Sequence, residues 1–223
     1  MRRPVVDYRA LRISNLTSPQ FRHLFWLLGW VGYFILYFLT ESLIPVEACY
    51  PVWCPLDDLI PFCEWFVIPY VGWYVLIVWS LVYFLLYNPE HFKGLQKYII
   101  VTQVVAMICY ILFPTRQDLR PAEFERSNIL TWIMGLIYSF DTNTGVCPSL
   151  HVAYSIGIAS TWLKEKNASG NTKAFVVIFS TLVCLSVTFT KQHSAVDVLA
   201  AIPVCILAEW LVYGKPFMKH ERK

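Results

Sequence analysis

Apolar stretches long enough to cross a lipid bilayer recur between residues 24 and 213, separated by short polar breaks. Lipid offers no partner to a free peptide group, so such stretches fold as helices that satisfy their own backbone. The first, LFWLLGWVGYFILYFLTESLI, covers 24–44. It is longer than the apolar core of a signal peptide, and no small-x-small cleavage pattern follows it. Further spans are expected at about 66–87, 98–113, 149–163, 174–189 and 195–213, the third short enough to draw on interfacial residues. The run NILTWIMGLIYSF ending at Phe140 is too short to span and suits a short interfacial helix near 127–140.

The expected fold class is therefore all-α, a polytopic six-transmembrane-helix bundle over 24–213. A cytoplasmic N-terminal segment (1–23) precedes it and a cytoplasmic tail (214–223) follows. Charged residues make up 15% of the chain, against roughly 25% in soluble domains, which agrees with a membrane protein. The net charge of +3 is small and scattered, with no basic patch interleaved with aromatics, so nucleic acid is not an expected partner.

Lysine and arginine positions orient the bundle. With the N-terminus inside, all but four of the 18 Lys and Arg residues fall in cytoplasmic segments. That bias places both termini in the cytoplasm. The four exceptions are Arg116, Arg120, Arg126 and Lys191. Arg116, Arg120 and Lys191 lie in the outer loops that lead to His151 and His193, where cations beside histidines suit an anion pocket.

The loop 45–65 carries Cys49, Cys54 and Cys63, of which Cys49 and Cys54 are close enough in sequence for a disulfide, although sequence alone cannot pair them. No CxxC occurs, which argues against a zinc site. Asp57 and Asp58 in the same loop read as solvated acids or a helix cap.

Three outer segments carry the chemistry: TRQDLRP (Thr115–Pro121), CPSLH (Cys147–His151) and TKQHSAVD (Thr190–Asp197). His193 and Asp197 stand four apart, on one helix face, so the carboxylate can fix the imidazole tautomer and leave the other ring nitrogen free as nucleophile or base. Their blander reading is a polar pair capping a helix. Pro148-Ser149 is a helix-start signal, and the free amides of a first turn bind phosphate. His151 sits in that turn. Together these residues suit phosphoryl transfer: His193 attacks phosphorus, oriented by Asp197, and His151 serves as acid and then base. Arg120, Ser149, Arg116 and Lys191 hold the phosphate. No carboxylate cluster of the two-metal type is present on this side, so neither a metal nor another cofactor is required.

These segments resemble the three signatures of the type 2 phosphatidic acid phosphatase and vanadium haloperoxidase superfamily. Its first signature is Lys, six residues, then Arg-Pro; Arg120-Pro121 match and Phe113 stands in the Lys place. The second is Pro-Ser-Gly-His; Pro148, Ser149 and His151 match, with Leu150 for Gly. The third is Ser-Arg, five residues, His, three residues, Asp; Ser186, His193 and Asp197 match, with Val187 for Arg. The resemblance implies His193 as nucleophile, Asp197 as its partner, His151 as acid and base, and Arg120 and Ser149 as phosphate ligands. Arg116 and Lys191 are candidate substitutes for the two missing cations.

The Pro-Ser-Leu-His variant is similar to the branch holding the inositol phosphorylceramide synthases, and PLDDLIPF (Pro55–Phe62) resembles a loop in small bacterial members of that branch. Three functions stay open. They are a metal-independent lipid phosphate phosphatase at the extracytoplasmic face, a phosphotransferase moving a phospho-headgroup between lipids, and a non-catalytic transporter or scaffold with a degenerate site.

Overall fold

Polar breaks and apolar runs become eight α-helices in the computed structural model, which describes residues 4–214. Arg2, Arg3 and the basic tail 215–223 lie outside the described residues. The helices are α1 (Leu28–Leu43), α2 (Pro55–Leu59), α3 (Val67–Tyr87), α4 (Pro89–Leu112), α5 (Ile129–Phe140), α6 (Leu150–Lys164), α7 (Gly170–Phe189) and α8 (Ala195–Tyr213). Two short strands, β1 (Tyr50–Pro51) and β2 (Thr115–Arg116), pair in parallel.

Five helical stretches are long and apolar enough to cross a membrane: Arg22–Leu43, Glu64–Tyr87, Pro89–Leu112, Gly170–Phe189 and Ala195–Tyr213. They mark an integral membrane protein. α1 shows the lipid-facing pattern best, with only 6% of its most apolar window buried and Val31, Phe34, Ile35 and Phe38 exposed.

Two helix starts differ from expectation. α4 begins at Pro89 rather than near 98, so His91, Lys93 and Lys97 lie on a helix. The Asn88 side chain accepts from the amide of His91 at 3.2 Å, and Pro89 occupies the first helical position. Asn-Pro therefore stops α3 and starts α4 at once. Likewise Ser169 accepts from the amide of Thr172 at 3.1 Å and opens α7 at Gly170 rather than 174.

α6 is shorter than the five long stretches and sits in the middle, packed on α4, α7 and α8. Nine of its 15 residues are buried. Gly157 lets the ring of Tyr98 on α4 approach; a Cβ there would stand 2.4 Å from the ring. At the far end Trp162 stacks on Trp79 (4.6 Å between ring centroids) and donates its indole N–H to Ser80 at 3.0 Å, tying α6 to α3. α1 is tied to α4 by the Trp30 indole, which donates to Gln96 at 3.0 Å. The starts of α3, α6 and α8 and the ends of α1, α4 and α7 consequently share one end of the bundle, where every candidate site residue lies.

Candidate active site

The end of α7 folds back to deliver His193. Thr190 closes the helix, its hydroxyl donating to the Ser186 carbonyl at 2.7 Å. Lys191 takes a left-handed backbone, φ 54°, and the amides of Gln192 and His193 both return to the Val187 carbonyl, at 3.0 and 2.9 Å. Ser194 then caps α8, its hydroxyl accepting from the amide of Val196 at 3.2 Å. Asp197 completes the box by accepting from the amide of Ser194 at 3.0 Å.

The same Asp197 oxygen lies 3.1 Å from Nδ1 of His193. Both residues are buried, Asp197 fully. A carboxylate at Nδ1 selects the tautomer with its proton there and leaves Nε2 as the basic nitrogen. His193 precedes the cap of α8, so the pair meets across the capping turn rather than along one helix face as expected, and the helix cap and the oriented imidazole are one arrangement.

His151 stands in the first turn of α6, held as a slab between other rings. Tyr70 stacks on it at 4.8 Å and Trp73 lies at 4.1 Å. Its ring meets that of His193 edge-on, with centroids 5.7 Å apart and planes at 66°. Nε2 of His151 is buried without a hydrogen-bond partner, as are Oγ of Ser149 and Oδ1 of Asp197. Ser149 occupies the cap position of α6, but its side chain makes no capping bond there. Its amide instead donates to the Asp197 carbonyl at 3.1 Å, joining the starts of α6 and α8.

The expected cations divide. Arg120 reaches this region, its guanidinium 4.7 Å from the centre of the Tyr138 ring. Its terminal nitrogens donate to the carbonyls of Tyr138, Asp141 and Thr142, which close α5, and at 2.6 Å to the side-chain oxygen of Gln192. Nε is buried and unpartnered. Arg116 is spent on Asp118 and on the carbonyls of Val46 and Cys49. Lys191 is spent on the carbonyls of Asp57 and Ile60. None of the three cations, nor Ser149, lines the cavity at the histidines; Arg120 alone bonds one of its lining residues, Gln192, so Arg116 and Lys191 do not stand where Phe113 and Val187 leave a cation missing. Their long side chains are captured by free carbonyls nearer to hand.

Asp57, read from sequence as a loop acid or local cap, does more. It is buried and accepts from the amide of Cys54 at 2.9 Å in its own short helix. It also accepts from the Ser194 hydroxyl at 2.5 Å and the Ala195 amide at 2.7 Å. The first amide of α8, that of Ala195, is thereby taken by a side chain from α2. Burial pushes the Lys191 ammonium down from its ordinary range, against the pull of Asp57 and Asp58. Asp58 itself accepts from the Trp53 indole. All seven cysteines are free, so the Cys49–Cys54 bridge is not formed.

A cavity of about 440 Å³ opens from the histidine pair. His151, His193, Gln192 and Asp141 form its polar end, and Trp30, Tyr33, Phe34, Tyr37, Trp73 and Tyr74 form aromatic walls between α1 and α3. Sequence reasoning missed Asp141, Gln192, Tyr70 and Trp73. Only the last two carry a signal, a three-residue spacing that puts both on one face of α3.

The chain matches no family model, no curated protein and no solved structure.

Proposed function

We propose that the protein is a membrane phosphohydrolase that cleaves a lipid phosphate through a phosphohistidine. One observation carries the reading: two imidazoles 5.7 Å apart at one end of a single cavity, one of them on a buried carboxylate at 3.1 Å. Nε2 of His193 forms the bond to phosphorus while the ester P–O bond breaks, and protonated His151 gives its proton to the leaving oxygen. Water then forms the new P–O bond as the N–P bond breaks, with His151 accepting the water's proton. The Ser149 hydroxyl and Nε of Arg120, buried and unpartnered but outside the cavity lining, are the donors proposed to turn to phosphate oxygens. The aromatic walls suit an acyl or prenyl chain better than a soluble ester, which favours a lipid substrate. The likeness to the type 2 phosphatidic acid phosphatase superfamily supports the same chemistry.

The layout that goes with it has six spans, with α6 as the fourth and α5 at the interface. Both termini are cytoplasmic and the histidines lie at the extracytoplasmic face. At about 1.5 Å per residue α6 is short for a bilayer, but it is wrapped by α4, α7 and α8 and meets little lipid. Arg9, Arg12, Arg22, Lys93, Lys97, Lys164, Lys166 and Lys173 all belong to the end of the bundle away from the histidines, as the positive-inside rule requires.

The test is a panel of labelled lipid phosphates given to the purified protein, with the phosphoenzyme trapped by rapid denaturation. Release of inorganic phosphate and an acid-labile label on His193 are expected. Label appearing in a second lipid, without release, replaces hydrolysis by transfer. No turnover and no labelled protein across the panel would sink the enzymatic reading.

A further inference from the structure

We propose that the cavity beside the histidine pair binds an ammonium group of the substrate, held between Asp141 and the tyrosines around it. The proposal rests on the phosphoryl-transfer reading above. It narrows the substrate to a lipid phosphate ester that carries an amine a few bonds from phosphorus.

Asp141 follows α5 and lines the cavity together with both histidines. One oxygen of its carboxylate accepts from the Tyr70 hydroxyl at 3.4 Å and from the Gln192 amide at 3.3 Å. Both are long bonds from neutral donors. Among the described residues no Lys, Arg or His forms a salt bridge with it. Arg120 is near enough to act through its charge, yet its terminal nitrogens go to backbone carbonyls and Gln192. Four tyrosines, Tyr33, Tyr37, Tyr70 and Tyr74, lie within electrostatic range of the carboxylate.

A partly buried carboxylate with no directly paired cation, only the more distant charges of Arg120 and His193, favours its neutral form or a cation brought from elsewhere. A phosphate placed at the histidines adds a second anion to the same cavity, and the two repel. A purely anionic lipid therefore meets a penalty here that a zwitterionic one does not. An ammonium on the substrate offers Asp141 a direct ion-pair partner and presents a cation to the faces of tyrosine and tryptophan rings. The phosphate end and the ammonium end of one headgroup then match the two ends of one polar wall.

The test uses the full chain in detergent micelles with paired single-chain probes that differ only in bearing an amine or a hydroxyl beside the phosphorus-bearing carbon. As phosphonates, which do not turn over, the probes are titrated against the protein's tryptophan fluorescence. As phosphate esters they are assayed for phosphate release. The amine phosphonate is expected to bind wild type about tenfold more tightly than the hydroxyl one. That preference should vanish in Asp141→Asn and survive in Asp141→Glu. Equal binding of the two phosphonates by wild type overturns the proposal, as does binding of neither. A preference undiminished in Asp141→Asn also overturns it. Wild type alone decides the first comparison, so a variant that fails to fold does not shield the proposal. An amine preference in binding without phosphate release from either ester supports the ammonium site and overturns the hydrolase reading instead.

Discussion

The carboxylate of Asp57 accepts from the hydroxyl of Ser194 at 2.5 Å, across 137 positions of chain, and so fixes the residue next to His193. α8 is thus capped twice, by Asp197 from within and by Asp57 from α2. Removing the outer cap leaves the Ala195 amide and the Ser194 hydroxyl without their partner in a buried place. Asp57→Ala should cost about 1–3 kcal/mol of stability for the orphaned groups, more than Asp57→Asn, which keeps an acceptor. Thermal unfolding in detergent measures the cost, and an unchanged midpoint in Asp57→Ala would remove the role given to this residue.

The two histidines should fail differently. In the proposed reaction His193→Ala removes the atom that bonds to phosphorus, so neither turnover nor trapped phosphoenzyme should remain. His151→Ala removes the proposed proton carrier, and turnover should fall by about 10²–10⁴-fold while some label still reaches His193. Stopped-time trapping with labelled substrate separates the two cases. Equal labelling in both variants would show that the nucleophile lies elsewhere.

Gly157 is a point of close approach between α6 and the Tyr98 ring of α4. A methyl group there meets the Tyr98 ring at 2.4 Å, so the ring or the helix must move. Gly157→Ala should destabilise the fold by about 1–3 kcal/mol, as overpacking does elsewhere. A midpoint at or above that of wild type would contradict the tight packing described.

Burial holds the Asp141 carboxyl above its ordinary range, against the opposing pull of Arg120 and His193. The folded protein then binds this proton more tightly than the unfolded chain. Stability from the group is complete below about pH 4 and is lost as pH rises through the raised value. Unfolding midpoints of wild type should therefore fall more steeply from about pH 4 upward than those of Asp141→Asn. Parallel slopes would show that Asp141 titrates as it does in the unfolded chain.

His193 and Asp197 were readable as a pair from their four-residue spacing, but His193 stands in the turn before the cap of α8, and it is the capping turn at Ser194, not a shared helix face, that brings them together. The convergence of α6 and α8 was readable for a related reason: apolar runs of known length alternate in direction, so odd and even loops sort to opposite ends. The reach of Arg116 and Lys191 was not readable. A long flexible side chain goes to whichever acceptor is nearest, and those acceptors, the carbonyls of Cys49 and Ile60, belong to distant loops. Asp57 was hidden for the same reason, since nothing near it in sequence mentions α8. The start of α4 was misplaced because charge reads as loop, whereas Asn88-Pro89 is a helix opening whatever follows it.

The crowded, partly polar character of α6 bears on how the protein is made. Its 15 residues include Ser155, Ser160, Thr161 and Lys164 among smaller apolar ones. A segment of that length and polarity gains little from lipid alone. In the proposed six-span layout its stability in the bilayer comes from α7, the next helix and the one it packs against most, so the two are expected to insert as one hairpin.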